Sequence, residues 1–253
     1  MKRYHLFVGV PRTGSTLLAT ILNQHPEVYV ASSTAMLEVI CAAQKAWKDA
    51  PTMIAHPNPI QYRNMSVGLA ESMWKHRSES IIIDRNREWA NNLTMATEVF
   101  GDPKIIITTR DLPSIMASWK RLYLQEWEER LADVQVETMW KMFVKDTADK
   151  VRRLKQEVPD NYIIVTYNNL IEDTKGQLKR IESFLKIPTY EYDLNNIQGE
   201  YQEKNIVLYG PEGLHRVKPT IEKQNTSPKD ILGEALYEKY KELEKDYLDI
   251  FSP

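Results

Sequence analysis

An arginine, three hydroxyls and two glycines fall together in Gly9-Val10-Pro11-Arg12-Thr13-Gly14-Ser15-Thr16. The frame is G-x-x-x-x-G-x-[ST], preceded by the apolar run Tyr4 to Val10 and followed by a helical pattern. Between a strand and a helix, such a turn aims successive backbone N–H groups and the positive end of the helix dipole at one spot. That arrangement holds a small tetrahedral anion. Ser15 stands where triphosphate-binding loops of this frame carry a lysine, which argues against a β/γ-phosphate clamp and the usual Mg²⁺ arrangement. Arg12, inside the loop, can brace a phosphate or sulfate oxygen with two donors.

A second group of residues follows the run Lys104 to Thr109. Arg110 ends that run, Asp111 is placed to cap the next helix, and Ser118 comes eight residues after the arginine. Eight residues is just over two helical turns, so Arg110 and Ser118 can converge on one anionic group if the loop folds back. A third set, Asp84, Arg85 and Arg87, follows the apolar triplet Ile81 to Ile83. These read either as a site or as a surface ion-pair cluster. Asp84 is a possible proton acceptor, while His25 reads as structural in its His-Pro turn. No His/Cys/Asp cluster has metal-ligand spacing, and no G-x-S-x-G element is present.

The elements that must position these residues alternate between short β-branched runs and longer helical patterns. Strands are expected at 4–10, 28–31, 81–83, 104–109 and 162–167. Helices are expected at 14–24, 35–48, 62–76, 113–124, 134–157, 175–185 and 228–248, with 189–227 lacking periodicity. Apolar strands separated by helices predict an α/β chain of the P-loop type: three layers, with a central parallel β-sheet flanked by helices. In such sheets ligands sit at the carboxyl ends of the strands, where the three arginine-bearing segments fall. The six tryptophans read as core and rim.

The 253 residues carry a formal net charge of −2. That balance gives no bulk electrostatic reason to bind nucleic acid or an anionic membrane. No apolar stretch reaches the ~20 residues that span a bilayer. The single cysteine, Cys41, cannot form an intrachain disulfide, which suits a reducing compartment. The expectation is a cytoplasmic protein.

The segment GVPRTGSTLLATILNQHPEV resembles the 5′-phosphosulfate loop of sulfotransferases that use 3′-phosphoadenosine-5′-phosphosulfate (PAPS), and is especially similar to tyrosylprotein-sulfotransferase-like members. The resemblance implies that Arg12, Thr13, Gly14, Ser15, Thr16 and Leu17 wrap the 5′-phosphate and sulfuryl end of PAPS. IIITTRDLPSIMASW is similar to the family's 3′-phosphate segment, which implies that Arg110 and Ser118 hold the phosphate that separates PAPS from ATP. The Y-x-x-L turn and the F-L-x-I-P ending of IVTYNNLIEDTKGQLKRIESFLKIP continue the match. Lys218 matches a lysine of the late loop that closes over the adenosine, with His215 and Arg216 nearby.

Carried over in this way, the chain reads as a single sulfotransferase domain over 1–253. It would transfer a sulfuryl group directly to a hydroxyl or amine of a small-molecule, carbohydrate or peptide acceptor, leaving adenosine-3′,5′-bisphosphate. Arg12 and Arg85 are the cations for the transferring group, Arg85 standing where the family has a lysine. Ser32 and Ser33 stand where tyrosylprotein enzymes carry a glutamate pair, and Ala35 where they carry an arginine. Glu38, one helical turn further on, is the replacement candidate for the base, and His56 and His76 lie in the stretch where cytosolic small-molecule members carry a histidine base, with no local motif to fix either one. Two other readings stay open: a P-loop kinase, and a non-catalytic module that binds PAPS or adenosine-3′,5′-bisphosphate.

Overall fold

The computed structural model describes residues 2–31, 34–199, 217–222 and 226–252. Five strands form one parallel sheet: β1 (Arg3–Gly9), β2 (Val28–Val30), β3 (Ile81–Arg85), β4 (Ile105–Thr109) and β5 (Tyr162–Thr166), in the order β2-β3-β1-β4-β5. Every junction follows from burial on both faces. Leu6, Val8, Ile82, Ile105 and Ile107 point into one core, while Phe7, Ile81, Ile83, Ile106 and Val165 point into the other. That two-residue alternation inside continuous apolar runs is what a sheet covered on both sides requires.

The smaller core is covered by α1 (Ser15–Leu22), through Leu18, Ile21 and Leu22. The larger core takes up α2 (Met36–Asp49) and α4 (Pro59–Met73) on one flank, with the short helix α3 (Pro51–Ala55), which buries no residue, between them in the chain. Beyond them come α5 (Leu93–Phe100), α6 (Leu112–Tyr123), α7 (Glu129–Met139) and α8 (Asp146–Glu157). After β5 the chain forms α9 (Tyr167–Glu172) and α10 (Thr174–Leu185); α10 returns to the smaller core through Leu178, Ile181 and Leu185. The last elements are α11 (Pro228–Leu232) and α12 (Glu234–Ile250). None of the described helices is long and apolar enough to cross a membrane.

Side-chain caps start several of these helices: Asp111 accepts from the Ser114 amide at 2.9 Å and Asp173 from Gly176 at 3.1 Å. The expected helix over 134–157 is instead α7 and α8 joined by a π-helical stretch, Trp140–Lys145. The expected helix over 228–248 is split at Gly233, whose φ of 77° ends α11 and begins α12. Helices α3, α5 and α9 and a 3₁₀ turn at Arg87–Asn91 are additional to the sequence expectation. Among the described residues of 189–227 there is neither helix nor strand, as the missing periodicity predicts.

Candidate active site

The loop after β1 is shaped by two glycines at its ends. A side chain at Gly9 would meet the Ser15 Cβ and the Thr108 Oγ1 at 2.9 Å each, so only a bare backbone lets α1 start this close to β4. Gly14 sits at φ 78° as the residue preceding α1, and a Cβ there would lie 2.7 Å from the Tyr167 ring. Between them Thr13 is fully buried. Its hydroxyl donates to the Val10 carbonyl at 2.6 Å and lies 2.8 Å from the Thr108 hydroxyl. The loop is thereby pinned to β4 before any ligand arrives. The amides at the start of α1 have no acceptor within their own helix and bring the positive end of its dipole to this turn.

Arg12 adopts a left-handed backbone, φ 68°, which an L-residue holds only when its surroundings dictate it. The turn carries its side chain across to α6, where Nε donates to the Ser118 Oγ at 3.0 Å and the guanidinium lies 5.8 Å from the Trp119 ring centre. Two residues that the sequence assigns to opposite ends of a nucleotide are therefore directly hydrogen-bonded. Arg85, at the end of β3, donates from Nη1 to the Thr16 Oγ1 at 3.0 Å. Arg12 thus reaches from the turn after β1 to α6, while Arg85 reaches from the end of β3 to the first turn of α1.

Arg110 follows β4 and is 8% exposed. Its guanidinium lies 4.1 Å from the Tyr167 ring centre, and Nε is 3.9 Å from the Asp111 carboxylate. Burial pushes its pKa down. The strand end beneath it is fixed by a contact that the sequence does not reveal: the Thr109 hydroxyl lies 2.9 Å from the Tyr247 hydroxyl of α12. Burial pushes the Tyr247 phenol up. Arg110 and Tyr167 line a cleft of about 170 Å³, together with Arg121 and Ser114 of α6, Asn168 of α9 and Ile231 of α11. Sequence reasoning misses Arg121. Its position three residues after Ser118, on the face that carries Ser114 and Ala117, is the signal that could have found it.

On the far side of Arg85, Asp84 is 1% exposed and both its oxygens are engaged: Thr34 Oγ1 donates to one and Trp89 Nε1 to the other, each at 2.6 Å. Burial raises its pKa. This carboxylate braces the β3 end and presents no face to a substrate. Glu38, exposed on α2, accepts from the Asn86 side chain at 3.3 Å. It therefore stands beside the residue that follows Arg85.

The remaining candidates scatter. Lys218 is 65% exposed and ion-paired with Glu222, and it is not among the side chains lining the cleft. His56 is exposed at the end of α3, and His76 is exposed beside Trp74. His25 is buried between the Pro188 carbonyl and the Glu27 amide, the structural role its turn suggests. Arg87 packs over the Phe143 ring at 4.5 Å, which removes it from a surface ion-pair cluster with Asp84. Ser32, Ser33, His215 and Arg216 lie outside the described residues.

Comparison with known proteins gives one family and a consistent fold. The family model described as "Sulfotransferase family" matches residues 6–191. Two nematode proteins named as protein-tyrosine sulfotransferases (the first provisionally) are similar in sequence. The Caenorhabditis briggsae protein is 26% identical over 187 residues, covering 72% of this chain and 65% of its own. The Caenorhabditis elegans protein, protein-tyrosine sulfotransferase A, is 25% identical over 242 residues, covering 89% and 62%. The chain thus spans less than two thirds of the length of these relatives. The sulfotransferase domain from the Synechococcus PCC 7002 olefin synthase superposes with a TM-score of 0.59 at 19% identity, covering 99% of this chain and 94% of that one. The sulfotransferase domain from the curacin biosynthetic pathway gives 0.57 at 16%, covering 99% and 96%. At these identities the two structures speak for the fold.

Proposed function

This chain belongs to the sulfotransferase family, and from that premise we propose that it moves the sulfuryl group of PAPS directly to an acceptor hydroxyl or amine. The bond from sulfur to the phosphate oxygen breaks as the bond from sulfur to the acceptor atom forms. Adenosine-3′,5′-bisphosphate leaves, and the acceptor proton passes to a base. In this reading 1–253 acts as one domain.

The observation that carries the proposal is the meeting of Arg85 with Thr16 in the first turn of α1 and of Arg12, from the turn before it, with Ser118 of α6. Charge spread over the transferring group calls for cations already in place and needs no covalent intermediate. Arg12 and Arg85 supply them. The loop residues Thr13, Gly14, Ser15, Thr16 and Leu17 hold the 5′ end through the amides of the first helical turn. Arg110 and Ser118 hold the 3′-phosphate, Arg121 adds a second cation on the same cleft, and Lys218 closes from the late loop. Glu38, which accepts from Asn86, the residue after Arg85, takes the proton. The acceptor is a small molecule, a carbohydrate or a peptide.

The kinase reading loses support from Asp84. It is the acid at the end of β3 where a metal-binding carboxylate would be sought, and Thr34 and Trp89 occupy both its oxygens. The test is a transfer assay with radiolabelled PAPS across phenolic, carbohydrate and tyrosine-peptide acceptors, with Mg²⁺ and with chelator. Labelled product at equal rates in both conditions supports the proposal. Transfer from ATP that requires Mg²⁺, with none from PAPS, contradicts it.

A further inference from the structure

Lys120 of α6 is a buried cation outside the group of residues described above. It is 1% exposed, and its ammonium lies 3.0 Å from Glu129 Oε1, 2.8 Å from Asp133 Oδ1 and 3.1 Å from the carbonyl oxygen of Leu232. An ammonium has three protons to donate, and here three acceptors surround it. Glu129 and Asp133 belong to α7, whereas Leu232 is the last residue of α11. One side chain of α6 therefore ties α7, next in the chain, to α11, which comes about a hundred residues later.

The consequence lies in what α11 does. Pro228 and Ile231, with Thr226 just before the helix, line the same cleft as Arg110 and Tyr167. Helix α11 has only five residues and ends at Gly233 in a left-handed backbone. A helix that short has no stability of its own. It stays where tertiary contacts put it, and these include the buried Leu232 side chain and the hydrogen bond from Lys120. An apolar residue of the same length would fill the space around α6 as well and would avoid burying a charge. What it could not do is hold the Leu232 carbonyl. On the reading that the cleft takes the nucleotide of PAPS, we infer that Lys120 is a positioning residue: it latches α11 onto α6 and α7 and so holds one wall of the cleft at the spacing the nucleotide needs.

The test compares the full chain with Lys120→Met, Lys120→Arg and Asp133→Asn by amide hydrogen exchange and by calorimetry with adenosine-3′,5′-bisphosphate. Lys120→Met speeds exchange at Ile231, Leu232 and Gly233 by about tenfold and leaves the β4 amides unchanged, and Kd for the bisphosphate rises by about tenfold, the scale of one lost charged hydrogen bond. Lys120→Arg, which keeps the charge and the donors, recovers most of both effects. Should Lys120→Met fail to fold, Asp133→Asn gives the same pattern at about threefold, since the ammonium keeps an acceptor there but loses one of its two carboxylate charges. Unchanged exchange in α11 overturns the inference. So does equal acceleration in α11 and β4, which marks a general scaffold residue, and so does faster α11 exchange with unaltered Kd. If the unmutated chain takes up no bisphosphate, the PAPS reading fails instead, and the exchange arm alone decides whether Lys120 holds α11.

Discussion

Replacing Gly14 by alanine tests how the phosphate loop and the α9 helix depend on one another. Two costs can be separated. The backbone at φ 78° lies in the left-handed region, which costs an L-residue about 1–2 kcal/mol. The new Cβ would also lie 2.7 Å from Tyr167 Cδ2 and 3.0 Å from Cε2, a backbone-fixed atom against a ring that has Arg110 stacked on it. Overpacking of this kind adds roughly 1–3 kcal/mol. Gly14→Ala should therefore destabilise the chain by about 2–5 kcal/mol in urea denaturation, read from the midpoint at constant slope. A double-mutant cycle isolates the second cost. With Tyr167→Ala in the background the clash vanishes and only the backbone cost remains, so the double variant should be more stable than the sum of the singles by about 1–3 kcal/mol. The displaced ring should also disturb Arg110, weakening binding of adenosine-3′,5′-bisphosphate in the single variant. Additivity within ~0.5 kcal/mol would refute the contact, and a Gly14→Ala protein as stable as the parent would refute both parts of the reasoning.

Two further perturbations address other parts of the molecule. Glu38→Gln keeps the hydrogen bond from Asn86 but cannot take a proton; with an identified acceptor kcat should drop by about 10²–10⁴-fold at unchanged Kd for the bisphosphate, and an unaltered kcat would remove Glu38 as the base. His5 is buried, and desolvation, aided by the Arg3 and Lys104 charges, lowers its pKa to about 4. Because the folded value lies below the unfolded one of about 6.5, the unfolded chain binds the proton first as pH falls. Stability should then decline between about pH 6.5 and about pH 4 by up to roughly 3 kcal/mol from this group. His5→Asn, which can still accept from the Lys104 amide, should flatten that part of the pH profile in guanidinium melts. A parallel decline in both proteins would show that His5 is not the source.

The parts of the site that the sequence reveals are those fixed by local geometry. Glycine at 9 and 14 is demanded by a close approach and a left-handed backbone, and both leave their mark in the spacing alone. Arg110 and Arg85 are legible because strand ends face the crevice of a parallel sheet. What stays hidden depends on distant partners. Nothing near Lys120 says that Leu232, 112 residues later, will accept its proton, and nothing near Thr109 announces Tyr247. The hydrogen bond between Arg12 and Ser118 is hidden for the same reason, since the left-handed turn at Arg12 decides where the guanidinium goes. Other misses had signals. Leu93, Met95, Ala96 and Val99 carry the buried face of α5 at helical spacing, and Thr166 caps α9, which reads from the sequence only as a turn. The π-helical stretch after Met139 leaves the apolar period almost intact, so 134–157 reads as one uninterrupted helix.

The central claim is that the turn after β1 and the cleft at Arg110 together hold a nucleotide carrying phosphate at both its 3′ and 5′ positions. Titration calorimetry with adenosine-3′,5′-bisphosphate, in the presence of chelator, tests it most directly. The account predicts clear one-site binding, weakened by roughly ten- to a hundredfold in Arg110→Ala through loss of a charged hydrogen bond. No heat with the bisphosphate but firm binding of Mg·ATP, or equal affinity in Arg110→Ala, would contradict it.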